Sequence, residues 1–171
     1  PSEAESATTT GITIGYVIAG PDDYYNVSAE VVQLFGEKQG WKVVVLNSEY
    51  TPEKEISNFE DLIAMGVDGI MCIAANSESV QTAANLAKDA GIPTVFVSSG
   101  PAENFDTLVT GNWSYSGQTH AKYLNENMPG CKVALIQGTA GQGIANLITE
   151  AFEAEFKGEI VADHDCNWSR E

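Results

Sequence analysis

Short apolar runs alternate with amphipathic stretches along most of the chain. Ile12–Ala19 reads as a buried strand, broken by Gly20, Pro21 and Asp22. Asp23, Tyr24 and Tyr25 stand where a helix begins, and the spacing predicts that helix from about Tyr25 to Gln39. Its apolar positions Val27, Val31, Leu34 and Phe35 follow the i, i+3, i+4 rule, and Gly40 is a good stop. Trp41–Leu46 is a β-branched run and predicts the second strand. Thr51-Pro52-Glu53 is a helix start, with a capping hydroxyl, proline at the first helical position and an acid in the first turn. Ile56, Phe59, Leu62 and Ile63 line the buried face of this helix, which Gly66 ends.

Val67–Ala74 predicts a third strand. Asn76 or Ser77 caps a third helix whose narrow stripe of Val80, Ala83, Ala84 and Ala87 lets it lie close to a sheet. Gly91 and Pro93 terminate it, and Thr94–Ser98 is the fourth strand. Strand–helix alternation of this kind makes a doubly wound parallel sheet with right-handed crossovers and helices on both faces. The loops after the first four strands then open on one edge. They carry Asp23-Tyr24-Tyr25, Asn47-Ser48-Glu49, Asn76-Ser77 and Ser98-Ser99, all polar, as a wet crevice needs. Adjacent tyrosines at such an edge offer a flat stacking surface and the carboxylates offer acceptors; a solvated turn would carry the same residues.

After Gly100-Pro101 the rhythm changes. Thr107–Thr110 is a short fifth strand, and Gly111-Asn112-Trp113 leads into a helix over about Ser114–Asn127. Cys131–Ile136, a helix over about Ile144–Phe156 and a strand over Glu159–Asp163 begin a second α/β series. The expected layout is a flexible leader over 1–11, an N-terminal α/β lobe over 12–110 and a partial second lobe over 111–171. Two strands cover a second sheet poorly, so the sequence reads as a fragment or as a lobe completed by something else. Such a lobe exposes edge strands and apolar helix faces, which predicts that the chain pairs with another copy or binds ligand poorly.

Charge narrows the function. The 171 residues hold 8 Lys+Arg against 24 Asp+Glu, a net charge of −16. A field of that sign repels phosphate backbones and anionic headgroups, which argues against nucleic acid and membrane surfaces. Cys72, Cys131 and Cys166 are widely spaced and form no zinc or disulfide pattern. No segment approaches the length needed to span a membrane, and none reads as a signal peptide. The polar, acidic opening PSEAESATTT suits the tether of a secreted or lipid-anchored protein, or an ordinary disordered terminus.

Catalytic signals are sparse. Gln137-Gly138-Thr139-Ala140-Gly141-Gln142-Gly143 joins a strand to a helix, and such a turn can cradle phosphate, with Asp163 placed where a ribose-binding acid would stand. The order is GxxGxG, however, and it comes late in the chain, so a tight turn with close helix packing is the preferred explanation. His120 and His164 have no metal-spaced partner. Ser98-Ser99 lack a nucleophile elbow, and the side chains of Asp22 and Asp23 tend to diverge. The reading is of no enzyme, no cofactor and no metal.

Taken together, IGYVIAGPDDYYN, GWKVVVLNSEYTPEKEISNFEDLIAMGVDGIMCIAANSESV, LAKDAGIPTVFVSS and DCNWSRE resemble the type 1 periplasmic sugar-binding proteins, the ribose-binding-like receptors of ABC transporters. The resemblance implies two lobes that close on a ligand like a hinged trap, with the first crossing near Gly111-Asn112. It implies an extracytoplasmic receptor for a small carbohydrate-like molecule, with an ABC transporter permease as partner. The family's Asn-Pro-Phe-Phe turn becomes Asp23-Tyr24-Tyr25-Asn26. Its Asp-Arg pair after the fourth strand becomes Ser98-Ser99, its second-lobe arginine falls at about Asn146 or Ile148, and its late aromatic matches Trp168. Tyr24, Tyr25 and Trp168 would then stack on the ligand, and Asp23, Ser98, Ser99, Asn112 and Asn146 would hydrogen-bond. Stacking groups persist while the charged clamps are gone, which makes ribose itself doubtful. The rival readings are the effector domain of a sugar-responsive regulator and a nucleotide-using enzyme built on the glycine turn.

Overall fold

A computed structural model describes residues 11–138 and 143–166. The element order is β1 (Thr13–Ile18), α1 (Asp23–Gln39), β2 (Lys42–Asn47), α2 (Pro52–Met65), β3 (Gly69–Cys72), α3 (Ser77–Asp89), β4 (Thr94–Val97), β5 (Thr107–Val109), α4 (Trp113–Asn127), β6 (Lys132–Gln137), α5 (Gly143–Glu155) and β7 (Glu159–Asp165). The chain divides into two compact units between Val109 and Thr110.

The first unit is a five-stranded parallel sheet in the order β2-β1-β3-β4-β5. Side chains alternate between the faces of a strand, and two cores follow from that period. Val17, Ile70, Cys72 and Phe96 meet Phe59 and Leu62 of α2 and Val80, Ala83, Ala84 and Ala87 of α3 on one face. Tyr16, Ile18 and Ile73 meet Tyr25 and Ala29 of α1 on the other. The small-residue stripe of α3 is fully buried, and Phe59 stacks on Phe96 with ring centroids 6.3 Å apart.

The apolar stripe of α1 does not take the core side that its period suggests. Val27, Val31, Leu34 and Phe35 are exposed, whereas Tyr25, Ala29 and Gly36 are buried. A helix lying tightly on β-branched strands needs small residues at the contact. A Cβ on Gly36 would stand 2.5 Å from Val43 Cγ2. Periodicity marks a stripe, and here close approach, not the size of the apolar residues, decides which stripe faces the sheet.

β4 and β5 pair in parallel without a crossover helix. A polar row on α3 holds the loop between them. Gln81 accepts from the N–H groups of Ala102 and Glu103 and donates to the Glu103 carbonyl, while Asn85 and Lys88 bond Asn104.

The second unit contains the parallel pair β6-β7. α4 and α5 pack together around Gly117, where a Cβ would stand 2.1 Å from the Ile148 carbonyl oxygen. Asn125 of α4 closes the end of α5, donating to the Glu155 carbonyl and accepting from Lys157 N–H. Ala121, Ala145 and Phe152 are its buried apolar side chains among the described residues, and every residue of β7 is exposed.

Candidate functional site

The strand order reverses direction around β1: its chain successor β2 lies on one side and β3 on the other. Such a switch point leaves a crevice beyond the carboxyl ends of the strands. The turn after β1 enters α1 directly, so Asp23 is the first helical residue. Tyr24 and Tyr25 lie in the first turn, with ring centroids 5.1 Å apart and planes at 77°. The pair is split by burial. Tyr25 is 8% exposed and packs among Tyr16, Ile18, Ala29 and Ile73, whereas Tyr24 is 63% exposed and offers its ring to solvent.

Sequence reading passed over a third tyrosine. Tyr50, in the turn after β2, stands with its ring centroid 6.1 Å from that of Tyr25. Its hydroxyl donates to the carboxylate of Asp22. Burial, then that carboxylate, then Tyr25 push the Tyr50 phenol far above its ordinary value. Asp22 is the N-cap residue of α1 yet makes no side-chain cap bond. The Tyr50 ring lies over Gly20, where an added Cβ would stand 2.3 Å from ring carbons; only glycine admits it.

The backbone that delivers Tyr50 is strained. Glu49 and Tyr50 have φ of +49° and +57°, and Thr51 N–H donates to the Ser48 carbonyl at 2.7 Å. Two positive φ values closed by that bond make a primed turn, normally built from Asn or Gly; each non-glycine residue held there costs about 1–3 kcal/mol. The turn is held by Tyr50 N–H to the Ala19 carbonyl at 2.7 Å, Ser48 N–H to the Ile18 carbonyl at 2.9 Å and Glu49 N–H to Asn47 Oδ1 at 2.8 Å.

The end of β4 is strained as well. Ser98 has a φ of +67°, and Ser99 N–H donates to the Val97 carbonyl at 2.8 Å across it, which is the less stable form of γ-turn. Among the described residues, the buried Ser99 Oγ has no hydrogen-bond partner, a condition that in a native fold calls for an explanation. β3 separates β4 from β1, so these two strands lie about 10 Å apart at the usual strand spacing.

Two buried groups of α2 fasten the loops of this edge, and sequence reading did not single them out. Glu55 accepts from Ala75 N–H at 2.5 Å and from the Ser79 hydroxyl at 2.7 Å, gripping the turn after β3. Burial raises its pKa, partly offset by those bonds. Asn58 donates to Ser48 Oγ at 3.2 Å, gripping the end of β2. Asn76, the N-cap of α3, accepts from Glu78 and Ser79 N–H. A polar residue at helical spacing within an apolar face was the available signal for Glu55 and Asn58. A glycine at the very end of a buried strand was the available signal for Tyr50.

In the second unit Asn112 caps α4, its Oδ1 accepting from Tyr115 N–H at 3.0 Å. Asn146 is exposed in the first turn of α5. A cavity of about 270 Å³ at the carboxyl end of β6 is lined by His120, Gln137, Gly138, Ala145, Thr149 and Phe152, among others. Gln137 bonds Asp163 and accepts from Thr149. Thus Asp163 holds a side chain of the neighbouring strand. Residues 139–142 of the glycine turn, and Trp168, lie outside the described residues. No group of three or more His, Cys, Asp or Glu that could hold a metal ion occurs among the described residues.

Comparison with known proteins agrees with this architecture. The sequence model of the family described as periplasmic binding protein domain matches residues 14–171, and the chain belongs to that family. It is 25% identical over 172 residues to the ribose import binding protein of Bacillus subtilis, covering 98% of this chain and 56% of that protein. The chain therefore spans about half the length of the curated relatives it matches. Among solved structures, a solute-binding protein of an ABC transporter from Bacillus halodurans with bound myo-inositol superposes with a TM-score of 0.83 at 16% identity, covering 96% of this chain and 60% of that one. The periplasmic binding component of a Shewanella arabinose ABC transporter, bound to arabinofuranose, does so with 0.78 at 22%, covering 92% and 56%. Those two likenesses establish the type 1 periplasmic-binding-protein fold.

Proposed function

We propose that this member of the periplasmic binding protein family captures a small carbohydrate-like molecule outside the cytoplasm and presents it to an ABC transporter permease, without chemical change to the ligand. The observation that carries the reading is the carboxyl edge of the five-stranded sheet. Asp23 and the exposed Tyr24 follow β1, and Ser98 and Ser99 follow β4, so all four belong to loops at the carboxyl edge of the sheet. An aromatic face for a sugar's C–H surface and acceptors and donors for its hydroxyls are the groups such a ligand needs. Tyr24 stacks, Tyr25 orients it edge-on, and Asp23, Ser98 and Ser99 hydrogen-bond. By the family resemblance, Asn112 and Asn146 are further candidates to hydrogen-bond and Trp168 a further candidate to stack.

Family membership supports a binding role over catalysis, and the sugars bound by similar proteins support the ligand class. A location that is periplasmic or lipid-anchored on the outer face of the membrane, and self-association through β6, where Ile136 is exposed, belong to the same proposal. Thermal-shift and tryptophan-fluorescence titrations with D-ribose, L-arabinose, D-glucose, myo-inositol and NAD test it. One or more of the polyols should raise the melting temperature, and Tyr24→Ala should weaken the response about tenfold or more. A response to NAD alone would overturn the receptor reading. Light scattering that finds only monomer would remove self-association.

A further inference from the structure

We infer that Tyr50 is the positioning residue of this ligand edge, tying the turn after β2 to the turn after β1 and deciding whether Asp22 faces the ligand side or caps α1. The inference rests on the ligand edge proposed above but goes beyond it, because none of the ligand-contact residues named there includes Tyr50.

Three observations converge. The Tyr50 hydroxyl bonds the carboxylate of a residue 28 positions earlier. That residue, Asp22, occupies the N-cap of α1 without capping it, although Asp is among the best N-cap residues. Meanwhile the Tyr50 ring fills the space that a side chain at position 20 would need. The backbone accepts two left-handed non-glycine residues to bring the ring there. Unfavourable conformations of this kind persist only where the surroundings over-determine them, and they collect at functional sites. While the Tyr50 hydroxyl holds the Asp22 carboxylate, that carboxylate makes no cap bond to the first turn of α1. Losing that hydroxyl frees the Asp22 carboxylate to take up its N-cap position on α1, which changes the acceptors this edge offers to a sugar's hydroxyls beside Tyr24.

The test compares wild type with Tyr50→Phe, which keeps the ring over Gly20, with Asp22→Ala, and with the double variant. Residue-resolved amide hydrogen exchange is read over residues 20–26, with the last turn of α1 as internal control. Tyr50→Phe should alter exchange in the first turn of α1 about tenfold or more and leave the last turn unchanged. The double variant should match Asp22→Ala, because the two side chains act as one unit. Gly20→Ala, which displaces the ring, should disturb the same amides. In parallel, the affinity ratio between D-ribose and myo-inositol should shift at least fivefold in Tyr50→Phe, a readout that a purely structural role would leave alone. Unchanged exchange at residues 20–26, or additive effects in the double variant, overturns the inference. An unchanged ratio in a protein that binds both probes overturns its consequence for specificity. If wild type binds neither probe, the receptor reading fails separately, and the exchange data alone judge Tyr50.

Discussion

The units on either side of the Val109–Thr110 division use the same alternation of strand and helix yet bury themselves very differently. In the first, β1, β3 and β4 each have a strand on both sides, and helices lie on both faces. In the second, among the described residues, β6 has only β7 as a strand neighbour, and all of β7 is exposed. An apolar run therefore offers burial only in proportion to the partners that reach it. A hydrophobic group that finds none contributes little, since the driving force scales with the area removed from water. The first unit should melt as one cooperative block, and the second should open at lower free energy.

The largest way to break that contrast is Phe59→Ala. Phe59 is fully buried and stacked on Phe96, so its loss should cost about 3–5 kcal/mol. Phe152→Ala in the second unit leaves a site at the margin of a two-stranded sheet, free to collapse, and should cost less. Urea unfolding followed by amide exchange separates the two; equal losses would mean that the second unit is as tightly built as the first. Next comes Gly117→Ala, which sets a Cβ against the Ile148 carbonyl and should cost about 1–3 kcal/mol by forcing α4 from α5. Exchange should rise in the second unit alone.

Cap removal sharpens the contrast further. Asn76→Ala releases two N–H groups and Asn112→Ala one, with expected losses of about 1 kcal/mol and somewhat less. Thermal melts that rank them in reverse would contradict the greater constraint assigned to the first unit. The smallest effect is a pH slope. Burial raises the Glu55 pKa above the ordinary carboxylate value, so the folded state holds that proton more tightly than the unfolded state does. Its contribution to stability is then greatest below the unfolded value and falls as pH rises through the folded value. Glu55→Gln loses that slope, so its stability relative to wild type should improve as pH rises above about 4.5. A flat difference across pH 4–7 would place the ionised carboxylate in the fold without penalty.

All twelve elements of the described residues were legible in the sequence, because period, proline and glycine punctuation and capping residues act locally. Boundaries moved by up to two residues where ladder pairing ended before the apolar run did, as in β3. That Asp23, Tyr24 and Ser98-Ser99 lie in loops after parallel strands was readable, because such loops share one edge of the sheet. Tyr50, Glu55 and Asn58 escaped, since their roles depend on partners 28, 20 and 10 residues away.

The order of strands and helices, the parallel sheet and the acidic field follow from the sequence alone, because each is fixed by near-neighbour sterics or by simple summation of charge. Only the folded chain decided that the large apolar residues of α1 face outward, that Tyr25 is buried while Tyr24 is open, and that Asp22 bonds Tyr50 instead of capping its own helix. Those outcomes turn on distances between segments remote in sequence, where a gap of one methyl group is enough to reverse which side chain fits.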